Sequence, residues 1–222
     1  PFSTSSVFAE SNVFKLVAST DVKVTLDGHG ADEVLSGYHN FFYVYLTQLL
    51  FSGDVKKFLK EIQSLRSTLI PSIYTQFIKN LVRQFVDPVS LLRLESNFGK
   101  LKSSYSLFHD SVLTAHDDVS RIGSMYKCFD VDSLSRRQIL STSLPKQLHW
   151  CDRDSMSYSV ESRAPFLDYR LVELATRARS DFKISNGVTK RLLREALKDV
   201  IPKKIYERTD KMGFVTAEEK WV

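Results

Sequence analysis

Apolar and polar positions alternate along this chain with two different periods, and the change of period marks its organisation. In SNVFKLVAS, Val13, Phe14, Leu16 and Val17 fall mostly on one side of a helix, with Ser11 or Asn12 available as its cap. VKVTL follows at strand density, rich in β-branched residues, and reads as an inner strand of a parallel sheet whose partner strands are not visible in the chain. From Ala31 the apolar residues run Val34, Leu35, Tyr38, Phe41, Phe42, Tyr45, Leu46, Leu49, a three–four spacing that predicts one amphipathic helix with aromatic residues on its buried face. Further helices are predicted from Asp54 to Leu65 and from Pro71 to about Phe85.

Residues 87–130 carry the weakest periodicity and read as short helices joined by polar loops. The pattern resumes at Ser133, with a helix up to Leu144 and Pro145 either kinking it or opening another. ESRAPFLDYR requires an extended residue before its proline, after which Asp168 caps a helix over YRLVELATRA. SNGV is a turn, and TKRLLREALKDV is a helix capped by Thr189 that ends before Pro202. No repeat period and no low-complexity segment interrupts this order.

Composition narrows the class. The 222 residues suffice for a substantial core, and no apolar run approaches the roughly 20 residues that span a bilayer. The opening PFSTSSVFAE has neither the basic region nor the apolar region of a signal peptide, and it lacks an initiator Met. Cys128 and Cys151 are too few for a disulfide framework and read as buried thiols of a reducing, cytoplasmic compartment. The five histidines show no HExxH or paired helical spacing, so no metal site built on histidine is expected. A net charge of +5 is spread among interleaved acids, without the basic arm or aromatic motif of a nucleic-acid binder.

Three stretches carry candidate chemistry. DGHGADE sits between the strand and a helix, where open α/β sheets bind nucleotides. Gly28 and Gly30 permit close approach of a ligand, and the helix start offers free N–H groups. Asp32 and Glu33 either complement the helix dipole or hold a divalent cation between themselves and a phosphate. Lys190, Arg191 and Arg194 place cations in the opening turns of a helix, which is either a solvated basic face or a seat for a polyphosphate. Asp152, Arg153, Asp154, Glu161, Arg163 and Asp168 alternate in sign and read foremost as internal ion pairs fixing a loop, with Arg163 the most open to another use.

Taken in order, VKVTLDGHGADEVLSGY, DRDSMSYSVESRAPFLDYRLVELA, and TKRLLREAL followed by IPKKIYERTDKMGF resemble the synthetase domain of the glutamine-hydrolysing asparagine synthetases. The likeness covers residues 1–45 and 133–222. It implies an α/β fold, mostly helical here: part of an adenine nucleotide alpha hydrolase-like (N-type ATP pyrophosphatase) synthetase domain over residues 1–222. Residues 1–50 would hold the last sheet strand and the nucleotide-site turn, and residues 51–222 would be mainly helical.

The resemblance also implies an ATP-dependent ligase that adenylates a carboxylate, aspartate foremost, and lets ammonia displace AMP. Carried over by position, Asp27 and Gly28, with Gly30, match the nucleotide-contacting turn; Asp32 matches a Mg²⁺-binding aspartate; Lys190 matches the lysine that holds the phosphates. Arg163 and Arg194 would support the phosphate site. His29 stands where the family usually has a glutamate tied to the intermediate, which leaves the acceptor open to a sugar acid, a peptide or a lactam-forming substrate. A non-catalytic nucleotide-binding helical module is the alternative from another class. The family's SGGxDS pyrophosphate loop and its Cys-led glutaminase domain, the ammonia source, are not found in the sequence. The chain therefore reads as a C-terminal portion, inactive alone, with ATP and Mg²⁺ as cofactors. Its expected partners are a small carboxylate and glutamine-derived ammonia, with no nucleic acid and no membrane; a homodimer is allowed.

Overall fold

A computed structural model describes residues 4–67, 71–85, 127–208 and 216. The predicted short helices of 87–130 fall almost wholly outside the described residues, as does most of the final motif beyond Arg208. The chain is mostly helical with a small parallel sheet, and it divides into two compact units: residues 1–41 with 135–222, and residues 42–134.

The first unit opens with α1 (Ser5–Ala18). The helix begins about two turns earlier than its sequence pattern suggests, because Thr4 rather than Ser11 or Asn12 is the cap, its hydroxyl accepting from the Val7 amide at 3.4 Å. Val7, Ser11 and Phe14 are buried, whereas Leu16 is 70% exposed. The strand of VKVTL, β1, is only Val24–Leu26. Contrary to expectation, it has a partner in this chain. Strand β2 (Glu161–Arg163) pairs with it in parallel, Thr25 opposite Ser162, and the Asp27 amide donates to the Arg163 carbonyl at 2.7 Å. ESR has no apolar alternation, so its pattern does not read as a strand. Leu26 is 74% exposed, so β1 is not covered on both faces within the described residues.

The single helix predicted from Ala31 is two. The one-turn α2 (Ala31–Val34) stops at Leu35, Ser36 takes a positive φ of 57°, and α3 (Asn40–Phe51) starts afresh. The apolar spacing runs straight across the break, so periodicity alone could not reveal it.

After α3 the second unit continues with α4 (Val55–Ser67) and α5 (Pro71–Phe85). Asp54 caps α4, its carboxylate accepting from the Lys57 amide at 3.1 Å. Val44, Tyr45, Leu46, Leu49, Leu65 and Ile73 are buried. Phe51 packs edge-on to Phe129 with centroids 5.6 Å apart. A buried polar ladder runs through this unit: Asn80 donates to Thr47 Oγ1 at 3.1 Å, and Gln84 donates to the Cys128 carbonyl at 3.1 Å.

Helix α6 (Val131–Arg137) passes through a π-helical turn (Gln138–Thr142) into α7 (Leu144–Ser157), which Pro145 opens as a first-turn proline. Beyond β2, a 3₁₀ turn (Pro165–Leu167) leads to α8 (Tyr169–Arg177), capped by Asp168, whose Oδ1 accepts from the Arg170 amide at 3.0 Å. The short α9 (Ser180–Lys183) precedes the SNGV turn, in which Ser185 bridges Val188 and both Asn186 and Gly187 have positive φ. Helix α10 (Arg191–Leu197) begins one residue later than expected. Its cap is Lys190, not Thr189, in the left-handed conformation. Helix α11 (Lys203–Tyr206) is the last described element.

Two apolar clusters hold the first unit together around its short strands. Phe14, Cys151 and Val160 join α1, α7 and the entry to β2. Val34, Leu35 and Ala175, with Phe166, Leu167 and Leu193 against them, join α2, the 3₁₀ turn, α8 and α10. No helix among the described residues is long and apolar enough to cross a membrane.

Candidate functional site

The glycine corner leaves β1 at Asp27 and turns at Gly30, which has φ 84°. A side chain at Gly30 would run into Leu167, so both the backbone conformation and the space demand glycine there. At Gly28 the direction a Cβ would take is open, with nothing within 4 Å. Because α2 is a single turn, its macrodipole is small, and the dipole argument for the two acids loses most of its force.

Those two acids part company. Glu33 is 1% exposed. Its Oε1 accepts from the Tyr38 hydroxyl at 2.7 Å, the Ser143 hydroxyl at 2.8 Å and the Gln147 amide at 3.0 Å. Its carbonyl accepts from Ser135 at 2.6 Å. Burial, and then the Glu33 charge, push the Tyr38 phenol well above its ordinary pKa. Glu33 is thus a structural anchor of α2, and nothing in the sequence flags it, because two of its three side-chain donors lie over a hundred residues away.

Asp32 faces the other way. The cluster of α2 and α10 residues brings Lys190 to it, with Nζ 2.7 Å from Oδ1 and both side chains largely shielded from solvent, 26% and 16% exposed. Gly37 makes this approach possible, since a Cβ there would collide with Asp32 Oδ1 and Lys190 Cε. No local signal in the sequence points to that role. The break between α2 and α3 therefore lies against the ion pair.

The remaining candidates take different places. Asp27 Oδ2 accepts from the Ser162 hydroxyl, and Cys151 Sγ lies 3.4 Å from the same oxygen. His29 Nε2 stands 3.6 Å from Glu10 Oε1 on α1. The Arg163 side chain is exposed and paired with Glu161 at 2.8 Å, while its carbonyl braces the Asp27 amide. Arg194 donates to the Thr189 and Tyr206 carbonyls, tying the segment that bears Lys190 to α11. Arg191 donates to Ser185, and both arginines line a cleft of about 270 Å³ beside α10.

Of the alternating charges, Asp168 forms a two-pronged pair with Arg170 that lowers its carboxyl to about 2. Asp154 is buried, which raises its carboxyl. Cys128 and Cys151 are buried and form no disulfide, as expected, and burial pushes the Cys151 thiol up to about 12.

A carboxylate and an ammonium converging beside an open glycine turn can take up a magnesium–phosphate unit, the oxygen going to the metal and the amine to the anion. Residues 1–222 match the asparagine synthase family throughout. The chain belongs to that family. It is 26% identical to the "Asparagine synthetase [glutamine-hydrolyzing] 1" of Bacillus subtilis, over 92% of this chain and 32% of that protein. It is 35% identical to a "Putative asparagine synthetase [glutamine-hydrolyzing]" of Mycobacterium tuberculosis, over 32% of this chain and 11% of that protein. A Mycobacterium bovis protein of the same description matches equally. The chain thus spans about a third of the length of the Bacillus relative. No solved structure matches it.

Proposed function

We propose that the chain forms part of a cytoplasmic asparagine synthetase-like ligase of the adenine nucleotide alpha hydrolase-like fold. In the whole protein, ATP and a carboxylate, aspartate foremost, give an acyl-adenylate and pyrophosphate. Glutamine-derived ammonia then attacks the acyl carbon and AMP leaves, giving asparagine. The observation that carries this reading is the 2.7 Å approach of Lys190 to Asp32 beside the glycine corner.

Asp32 would supply the hard oxygen to Mg²⁺, with Asp27 and Gly28 as contacts to the nucleotide. Mg²⁺ when bound neutralises phosphate charge. Lys190 holds the phosphate oxygens as negative charge builds on them during adenylation. Gly28 leaves room for the nucleotide, Gly30 shapes the turn that presents it by packing on Leu167, His29 borders the acceptor carboxylate, and Arg194 keeps the Lys190 segment in place. Residues 1–50 supply the strand and the turn, and residues 51–222 supply the helical remainder. A second reading keeps adenylation and changes the acceptor. His29 favours it, because an imidazole in place of the family's usual glutamate alters the charge beside the acyl group.

In the whole protein, Lys190→Ala is expected to lower acceptor-dependent pyrophosphate release by at least about 10²-fold with the fold intact by circular dichroism. Unchanged turnover would overturn the assignment. A panel of acceptors in the same assay separates aspartate from sugar acids, peptides and lactam-forming substrates. Nucleotide binding without pyrophosphate release for any acceptor would instead support a non-catalytic module.

A further inference from the structure

Glu10, His29 and Cys151 come from α1, the glycine corner and α7, and each offers one ligand atom, all within 4.8 Å of one another. We propose that these three side chains form a binding site for a thiophilic divalent cation of the zinc class, which adjoins the proposed ligase site and shares His29 with it but is argued from its own geometry. Glu10 Oε1 and His29 Nε2 are 3.6 Å apart, too far for a good hydrogen bond. Two ligands of one tetrahedral zinc stand about 3.3–3.6 Å apart, given metal–ligand bonds of about 2.0–2.3 Å. The observed spacing suits an ion pair and equally two ligands of one metal, and the widest pair, within 4.8 Å, needs to close by about 1 Å, within the reach of side-chain rotation.

The surroundings call for a cation. Glu10 is raised by burial and by the nearby charges of Asp154 and Asp27, and lowered by His29. Asp154 is only 8% exposed, and its Oδ2 has no hydrogen-bond partner among the described residues. The buried Nδ1 of His29 also lacks one among them. A negative, half-buried cluster with unmet polar atoms is costly as it stands, and a divalent ion offsets that cost. Sulfur, imidazole and carboxylate together select a borderline metal over Mg²⁺, which prefers oxygen alone. Ser162, 3.3 Å from Cys151 Sγ, would orient the thiolate as an outer partner by turning its hydroxyl to donate to the sulfur. On binding, the Cys151 proton leaves to solvent and the thiolate forms the metal–sulfur bond. Three protein ligands leave a fourth position to water. Spacing along the sequence hides this site, because residues 10, 29 and 151 meet only through the fold.

The test is chelator-competed Zn²⁺ titration of the whole protein, with Co²⁺ as a spectroscopic probe. Cys151→Ser and Glu10→Gln are each expected to weaken Zn²⁺ binding by about 100-fold, and Cys128→Ser to leave it unchanged. Co²⁺ should give a sulfur-to-cobalt charge-transfer band that Cys151→Ser removes. Equal Zn²⁺ affinity in the wild type and both ligand variants, or a wild-type Co²⁺ spectrum without that band, would overturn the site. Should Cys151→Ser fail to fold, His29→Ala and the wild-type Co²⁺ spectrum decide the matter. Loss of this site would leave the pyrophosphate-release test of Lys190 untouched.

Discussion

The helical region of α3 to α5 and the glycine corner solve opposite problems. In the first, apolar side chains at helical spacing fill a core, and the few buried polar groups bond to one another, as Thr47 and Asn80 do. In the second, elements of three and four residues are held by glycines, left-handed residues and a buried carboxylate so that charged groups come close. Apolar packing dominates in the helices, whereas the corner adds to its apolar cluster a set of polar contacts whose geometry is also its chemistry.

Four substitutions sharpen that contrast. The largest change in stability is expected in the helical region: Leu46→Ala, at a position of 0% exposure, should cost about 2–5 kcal/mol in denaturant unfolding. Its effect on catalysis in the whole protein should follow the folded fraction alone, and a lowered rate per folded molecule would blur the line between the two regions. In the corner, Glu33→Ala leaves the donors of Tyr38, Ser143 and Gln147 without their shared acceptor, at about 2–3 kcal/mol. A cost near zero would mean that those donors find other acceptors.

Gly37→Ala should cost about 1–3 kcal/mol by overpacking, and should also force Asp32 and Lys190 apart. Pyrophosphate release ought then to fall more than stability does, and a loss in simple proportion to unfolding would argue against a positioning role. The smallest effect belongs to Asp168. Its carboxyl is lowered by Arg170, so its contribution is present above pH 3.8 and disappears as the pH falls through about 2. Asp168→Asn should remove that acid dependence, read by NMR titration of α8 amides. A carboxyl titrating near 3.8 in the wild type would contradict it.

Legibility in the sequence follows the same divide. Helices α4 and α5 can be read from apolar spacing, as can the Asp168 cap and the SNGV turn, because local chemistry decides them. Asp32 and Lys190 stand out by their motifs, and the fold sets them in contact. What stays hidden depends on distant partners. Strand β2 is three polar or charged residues that pair only because β1 lies alongside. The break at Ser36 is masked by an apolar register that continues across it. Glu33 looks like its neighbour Asp32 until its three donors are in view.

Lys190 holds φ 52°, a conformation that costs an L-residue about 1–2 kcal/mol and glycine almost nothing. Lys190→Gly relieves that backbone cost but takes the ammonium from the largely shielded Asp32, so two opposing changes in melting temperature would mask the loss of the amine on which, on the proposed reading, turnover depends. Protein engineers working with this scaffold should fix that codon before selecting for heat tolerance.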